Sequence, residues 1–252
     1  MSNVDVQEVI DAGSPTVEEV VEGPVDVQEP LPQTQPVPIP NQEQAQDEVE
    51  YSTLEQASQT MNKIRARMYT PTGRKDIEYM LGGQVRVISY DELDNYNTIE
   101  ELLHPYMSVV ILYPNGPEGD VGHWTCCFTS IGSDRLEYFD SYGCFIDSKI
   151  EEYNAGDDRF HRPQPIYPRL LELILNSHYA HNMHYNEFEF QSANIATACC
   201  GLWCVARLKS KHLNENMFRK LWLDLPVKGK VLPDFLVSYM TCKWFPEMCV
   251  SC

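Results

Sequence analysis

Basic residues are missing from the first fifty positions. That stretch holds twelve Asp and Glu, no Lys or Arg, and no aromatic residue, beside seven Pro and seven Gln. Such a composition cannot bury enough apolar surface to offset the entropy of ordering, so residues 1–52 are expected to form a disordered acidic Pro/Gln-rich tail. Dense basic blocks are also missing further on. The cations between Lys63 and Lys75 and between Arg207 and Lys230 are diluted among other residues, which speaks against a nucleic-acid partner. No apolar run reaches the roughly 18 residues of a membrane-crossing helix. The start, MSNVDVQEV, lacks the basic and apolar regions of an export signal. The nine cysteines are an odd number in a chain too large to need staples, and they are expected to be reduced thiols.

What remains is enough for one domain, expected over residues 53–252. The formal charge of the whole chain is −18, but residues 51–252 hold 25 acidic and 19 basic residues, a net of −6. With 43% hydrophobic residues, this part can bury a real core. Periodicity predicts helices over Leu54–Met68 and Asp76–Leu81, a strand over Gln84–Ser89, and a helix capped by Thr98 and running to His104. Met107–Tyr113 is a continuous apolar run of strand length. Later come a helix over Pro168–Ser177, a strand over Asn182–Phe190, and helices over Cys200–Lys211, Glu215–Leu223 and Pro233–Trp244. Helices, then strands, then helices favour an α+β fold with a central mixed or antiparallel sheet. The pentapeptide VDVQE occurs twice, at Val4–Glu8 and Val25–Glu29. It reads as drift within a biased segment rather than as a binding motif.

The stretch GHWTCCFTSIGSDRLEYFDSYG, Gly122–Gly143, has a turn cluster between two strand-like runs, the pattern of a β-hairpin. With the turn centred between Gly132 and Ser133, His123 lies opposite Tyr142. Asp140 is then two residues away on the same face, about 7–8 Å along a diagonal that twist can shorten. A carboxylate beside an imidazole fixes its tautomer and stabilises the imidazolium. By itself such a pair is more often structural than catalytic.

A nucleophile is offered by FQSANIATACCGLWCVARLKS. Cys200 and Gly201 stand at the start of an apolar helix, where unpaired N–H groups and the helix dipole favour a thiolate. Gly201 is expected to keep the space beside the thiol clear. Gln191, upstream, offers a side-chain amide for an oxyanion hole. In chain order these residues supply a base (His123), an orienter (Asp140), an oxyanion donor (Gln191) and a nucleophile (Cys200), as a thiol protease requires.

The motifs GHW, FDSYG, YNEFEFQ and CCGLWCVAR, in this order, resemble those of adenain-like cysteine proteases. That group comprises the adenovirus endopeptidases and is related to the SUMO-protease superfamily. The likeness is greatest to proteases of virophages, Polinton/Maverick elements and large DNA viruses, and it covers about residues 84–210. The resemblance implies a papain-like fold, a His123–Asp140–Cys200 triad with Gln191 in the oxyanion hole, and cleavage of capsid or core precursor proteins, often after small residues. It implies no metal or organic cofactor, leaves room for an activating peptide or DNA, and places the protein in the virion and the host cytoplasm or nucleus. The same triad would serve a deconjugating isopeptidase for a ubiquitin-like modifier, and a third reading is a non-catalytic interaction protein that retains the fold. Neither substrate nor oligomeric state follows from the sequence.

Three departures from the family pattern stand out. The usual Thr-Cys-Gly is Cys199-Cys200-Gly201, making Cys199 a rival nucleophile, though only Cys200 precedes the glycine. The gap from Gln191 to Cys200 is long, with Asn194 as a substitute donor. Leu202 replaces an arginine common in virophage-type enzymes. Other residues read as structural: Trp124, which alternates with His123, as core packing; Cys204, Cys126 and Cys127 as small buried residues. A zinc site using Cys242, Cys249 and Cys252 lacks a properly spaced fourth ligand. His178, His181 and His184 straddle a helix-to-strand change and are not expected to bind metal.

Overall fold

The computed structural model describes residues 42–114, 122–129, 134–148, 150, 167–193 and 196–249, with the backbone alone for 42–54. The chain divides into two units, Met1–Gln46 and Asp47–Cys252. Of the first, only the start of a helix is described. The VDVQE repeats, the hairpin turn at Gly132 and Ser133, Asn194 and Cys252 lie outside the described residues.

Helix α1 spans Gln42–Tyr69 and so begins twelve residues before the expected Leu54. Pro40 is the last proline before Pro71, and the Gln, Glu and Ala that follow it are good helix formers. Helix α2, Arg74–Met80, starts as Asp76 accepts the Gly73 N–H at 2.9 Å. Thr98 caps α3, Ile99–Leu103, accepting from the Glu101 N–H at 3.2 Å.

Five strands form one mixed sheet in the order β1 (Arg86–Ser89), β2 (Ser108–Pro114), β3 (Gly122–Thr129), β4 (Leu136–Asp140), β5 (Met183–Tyr185). The outer pairs β1/β2 and β4/β5 are parallel, and the inner pairs β2/β3 and β3/β4 antiparallel. The molecule is thus α+β, with a mixed sheet. In β3/β4, Thr125 faces Asp140 and Thr129 faces Leu136. That is the register dictated by a turn centred between Gly132 and Ser133.

The alternation of side chains sorts the sheet into two buried faces. Trp124, Cys126, Phe128 and Phe139 join one core cluster, with Val110, Leu112 and the helix α5 (Cys200–Lys209). Val109, Ile111, Cys127 and Tyr138 join the other, with α3 and α4 (Arg169–Leu175). Helix α5 lies across β3 and is buried at every position from Gly201 to Leu208. Burial of Leu202, Trp203, Val205 and Leu208 contributes about 1.5–3 kcal/mol each. Trp124, Cys126, Cys127 and Cys204 are all buried in the core, as their positions suggested.

Two expectations need correction. The strand expected over Asn182–Phe190 is only Met183–Tyr185. Beyond it the chain turns across Gly143, where a Cβ would stand 3.0 Å from the backbone of Glu187 and Phe188. The cysteines are not all thiols either: Cys242 and Cys249 form a disulfide. Cys242 lies in α8, Pro233–Trp244, and the 3₁₀ turn Pro246–Cys249 folds Cys249 back until the two Cα atoms are 5.4 Å apart. This is well within the reach of a disulfide, but a seven-residue separation carries no signal of it in the sequence.

Between Glu215 and Lys228 a single helical rod contains α6 (Glu215–Arg219), a π-helical stretch (Lys220–Asp224) and α7 (Leu225–Lys228). Phe218 and Trp222 anchor it in the core. Arg207 of α5 crosses to Glu137 of β4 in a buried ion pair at 2.6 Å, under the rings of Phe128 and Phe218. This pair ties the central helix to the sheet.

Candidate active site

Each letter of the hairpin motif has a physical reason. At Gly122 a Cβ would stand 2.0 Å from the Tyr113 carbonyl oxygen, so no larger residue fits. His123 follows, 7% exposed. Trp124 points to the other face of β3 and donates its indole N–H to the Thr72 carbonyl at 2.8 Å. Gly201 is buried against that same corner: a Cβ there would be 2.8 Å from Thr72 Cβ and 3.2 Å from Trp124 Cδ1. The glycine after Cys200 therefore lets the helix approach Trp124, rather than clearing space beside the thiol.

The His–Asp diagonal closes to a hydrogen bond, His123 Nε2 to Asp140 Oδ1, at 2.9 Å. The same carboxylate oxygen accepts the Tyr142 N–H at 2.7 Å. The Tyr142 ring stacks on the imidazole, with centroids 4.9 Å apart. The Cys200 sulfur is also near enough to act on the charge of the imidazole. With Nε2 given to Asp140, Nδ1 is the nitrogen left for sulfur. Burial alone would pull the His123 pKa down. The Asp140 carboxylate, and then the Cys200 sulfur, outweigh it and hold the value up at about 10. The ring is therefore an imidazolium at neutral pH.

Cys200 is the first residue of α5, and no side chain caps that helix. Its thiol is partly exposed. Cys199 is fully buried, with its sulfur 3.5 Å from the Met68 carbonyl oxygen and 3.6 Å from Ser238 Oγ. Burial and the nearby Asp234 carboxylate push the Cys199 thiol up to about 12. Of the adjacent cysteines, only Cys200 faces the imidazole from a partly open position.

Gln191 is 1% exposed and held at both ends of its amide. Its Oε1 accepts from Ser141 Oγ at 3.0 Å. Its Nε2 donates to the Thr197 carbonyl at 2.8 Å and approaches Thr197 Oγ1 at 3.3 Å. The amide is thus braced between the residue after Asp140 and the loop leading into Cys200.

Sequence reasoning missed two residues. Asn186 accepts the Asp140 N–H at 2.9 Å and donates to the Asp140 carbonyl at 2.7 Å. Its side chain continues the β4/β5 pairing one step past the last strand residue, and so fixes the Asp140 backbone. The only sequence signal for it was the Tyr-Asn of YNEFEFQ. Asp234, at the start of α8, is buried below the same loop; nothing in its local sequence distinguishes it. His178 pairs with Glu100 and Asp134, and His184 with Glu215. Among the described residues no cluster of His, Cys, Asp and Glu is arranged to hold a metal ion. No helix among them is long and apolar enough to cross a membrane.

Fold and site together define a mixed α+β protein with a buried imidazole–carboxylate pair beside a partly exposed cysteine. No family model matches the chain. It is 35% identical over 170 residues to "Uncharacterized protein V9" of Sputnik virophage, which covers 66% of this chain and 91% of that protein. The chain belongs to the same family as this virophage protein.

Proposed function

We propose that this protein is a papain-like cysteine endopeptidase of viral type, which cleaves virion precursor proteins through a thioester acyl-enzyme. The observation that carries this reading is the buried His123–Asp140 hydrogen bond, 2.9 Å at Nε2, with the Cys200 sulfur near enough to act on the charge of the same imidazole. A purely structural His–Asp pair has no need of a partly exposed thiol at an uncapped helix start. The relationship to a virophage protein and the ordered motifs support the viral setting. In this reading the enzyme works in the virion and in the host cytoplasm or nucleus.

His123 takes or holds the Cys200 proton as the sulfur attacks the peptide carbonyl carbon. The developing oxyanion is received by the Cys200 backbone N–H and by Gln191 Nε2, whose longer contact to Thr197 Oγ1 is the easier to give up. His123 then passes its Nδ1 proton to the leaving amine, and the C–N bond breaks to leave a thioester. Next, His123 takes a proton from water, whose oxygen attacks the thioester and releases the acid and the Cys200 thiolate. Asp140 keeps the ring oriented throughout and stabilises its charge.

The test is labelling by iodoacetamide at pH 6, with the modified site read by mass spectrometry, of wild type, Cys199→Ser, Cys200→Ala and His123→Ala. The expected result is fast labelling at Cys200, kept in Cys199→Ser and lost when His123 is removed. A Cys200 that reacts like an ordinary thiol would overturn the reading. Incubation of the active protein with capsid precursors and with ubiquitin-like conjugates then separates an endopeptidase from an isopeptidase. A parallel arm adds peptides from the same virus to look for an activator.

A further inference from the structure

Asp234 is a buried carboxylate, 2% exposed, whose oxygens accept from three neutral donors. Oδ1 accepts the Trp203 indole N–H at 2.9 Å. Oδ2 accepts the Thr197 hydroxyl at 3.0 Å and the Ser192 N–H at 3.2 Å. Trp203 lies in the nucleophile helix one turn after Cys200. Ser192 and Thr197 lie near the two ends of the loop that joins Gln191 to Cys200. One carboxylate therefore ties α8, the loop and the helix together.

The consequence for Gln191 follows from hydrogen-bond direction. A carboxylate can only accept, so the Thr197 hydroxyl must spend its proton on Asp234. That leaves only lone pairs on Thr197 Oγ1 to face Gln191 Nε2, 3.3 Å away. The Nε2 protons are thus both turned toward the Thr197 end, and Oε1 toward Ser141. Were the Thr197 hydroxyl free to rotate, it could point its proton at Gln191 Nε2 and oppose the amide direction that the Thr197 carbonyl holds at 2.8 Å. A flipped amide would present an oxygen where an oxyanion needs a donor.

We propose that Asp234 is the positioning residue of the oxyanion loop: acting through Thr197, it sets the direction of the Gln191 amide and the approach of the Cys200 backbone N–H. This inference rests on the thiol-protease reading above. It assigns Asp234 no contact with substrate. It also separates two chemistries of one thiol. Alkylation by iodoacetamide forms a C–S bond and expels iodide, with no oxyanion, so it reads only the thiolate and His123. Acylation by p-nitrophenyl acetate forms a thioester and expels p-nitrophenolate through an oxyanion, so it reads the hole as well.

The experiment measures both rates at Cys200 in the full chain, for wild type, Asp234→Asn and Thr197→Val, with Cys200→Ala as the background. Asp234→Asn replaces one of the two acceptor oxygens by N–H donors, which must face either the Trp203 indole N–H or the Thr197 hydroxyl and the Ser192 N–H. Thr197→Val removes the lone pairs that face Gln191 Nε2 while leaving Asp234 its bonds to Trp203 and Ser192, so it serves if the first variant folds poorly. The expected result is a fall of about tenfold or more in acylation, within the range known for loss of one oxyanion donor, with alkylation within about twofold of wild type. Equal losses in both rates for both variants, or no loss in either rate, would overturn the assignment while leaving the triad standing. Ordinary alkylation in wild type itself would instead overturn the protease reading, and this inference with it.

Discussion

Replacing Asn186 by Ala should loosen the strand end that carries Asp140. The Asn186 side chain, 4% exposed, makes two hydrogen bonds to the Asp140 backbone, at 2.9 and 2.7 Å, and one to the Phe188 carbonyl at 3.0 Å. Truncation leaves a buried N–H and a buried C=O of Asp140 without these partners. An orphaned buried group costs about 1–3 kcal/mol. Water entering the vacated space recovers part of that, so about 2–4 kcal/mol is expected for the pair. In a domain of this size, 1 kcal/mol shifts the melting temperature by about 2–4 °C, so a fall on the order of 10 °C is expected. Because Asp140 also orients His123, labelling of Cys200 at pH 6 should slow in the protein that remains folded. Asn186→Asp separates the terms. It keeps an acceptor for the Asp140 N–H, loses the donor to the carbonyl, and adds a carboxylate near Asp140. It should be at least as destabilised as the Ala variant. A melting temperature within about 2 °C of wild type for Asn186→Ala would show that the side chain does not hold Asp140, and would refute the reasoning.

Three other predictions follow from named contacts. His123 is raised from an ordinary 6.5 to about 10 in the folded protein. Its contribution to stability is therefore complete below about pH 6.5, declines as the unfolded chain loses that proton first, and is gone above about pH 10; melts of wild type against His123→Gln should converge across this window. Removing one partner of the buried Arg207–Glu137 pair, as in Glu137→Gln or Arg207→Met, should cost about 3–5 kcal/mol in urea denaturation, whereas replacing both with apolar residues should cost much less. Gly201→Ala forces a Cβ to within 2.8 Å of Thr72 Cβ. It should destabilise by about 1–3 kcal/mol and slow Cys200 labelling, as measured by a melt and by mass spectrometry on one sample.

What could be read from the sequence was local in origin. The parity of a strand places His123 and Asp140 on one face, and a two-residue turn centre fixes their offset; both are consequences of backbone geometry over twenty residues. The start of an apolar helix at Cys200 likewise follows from composition, as does the burial of Trp124 opposite His123. The tertiary structure decided what depends on chain closure over longer distances. Asn186 reaches Asp140 across 46 residues, Asp234 reaches Thr197 across 37, and Trp124 reaches Thr72 across 52. None of these partners has a periodic pattern to betray it, because a single hydrogen bond constrains one residue and not its neighbours. The same holds for the Cys242–Cys249 bridge, made by a turn after a helix end, and for the rivalry of Cys199 and Cys200. Adjacent in sequence, the two thiols are chemically alike; packing against Met68 and Ser238 buries one, and the mouth of the helix leaves the other facing His123.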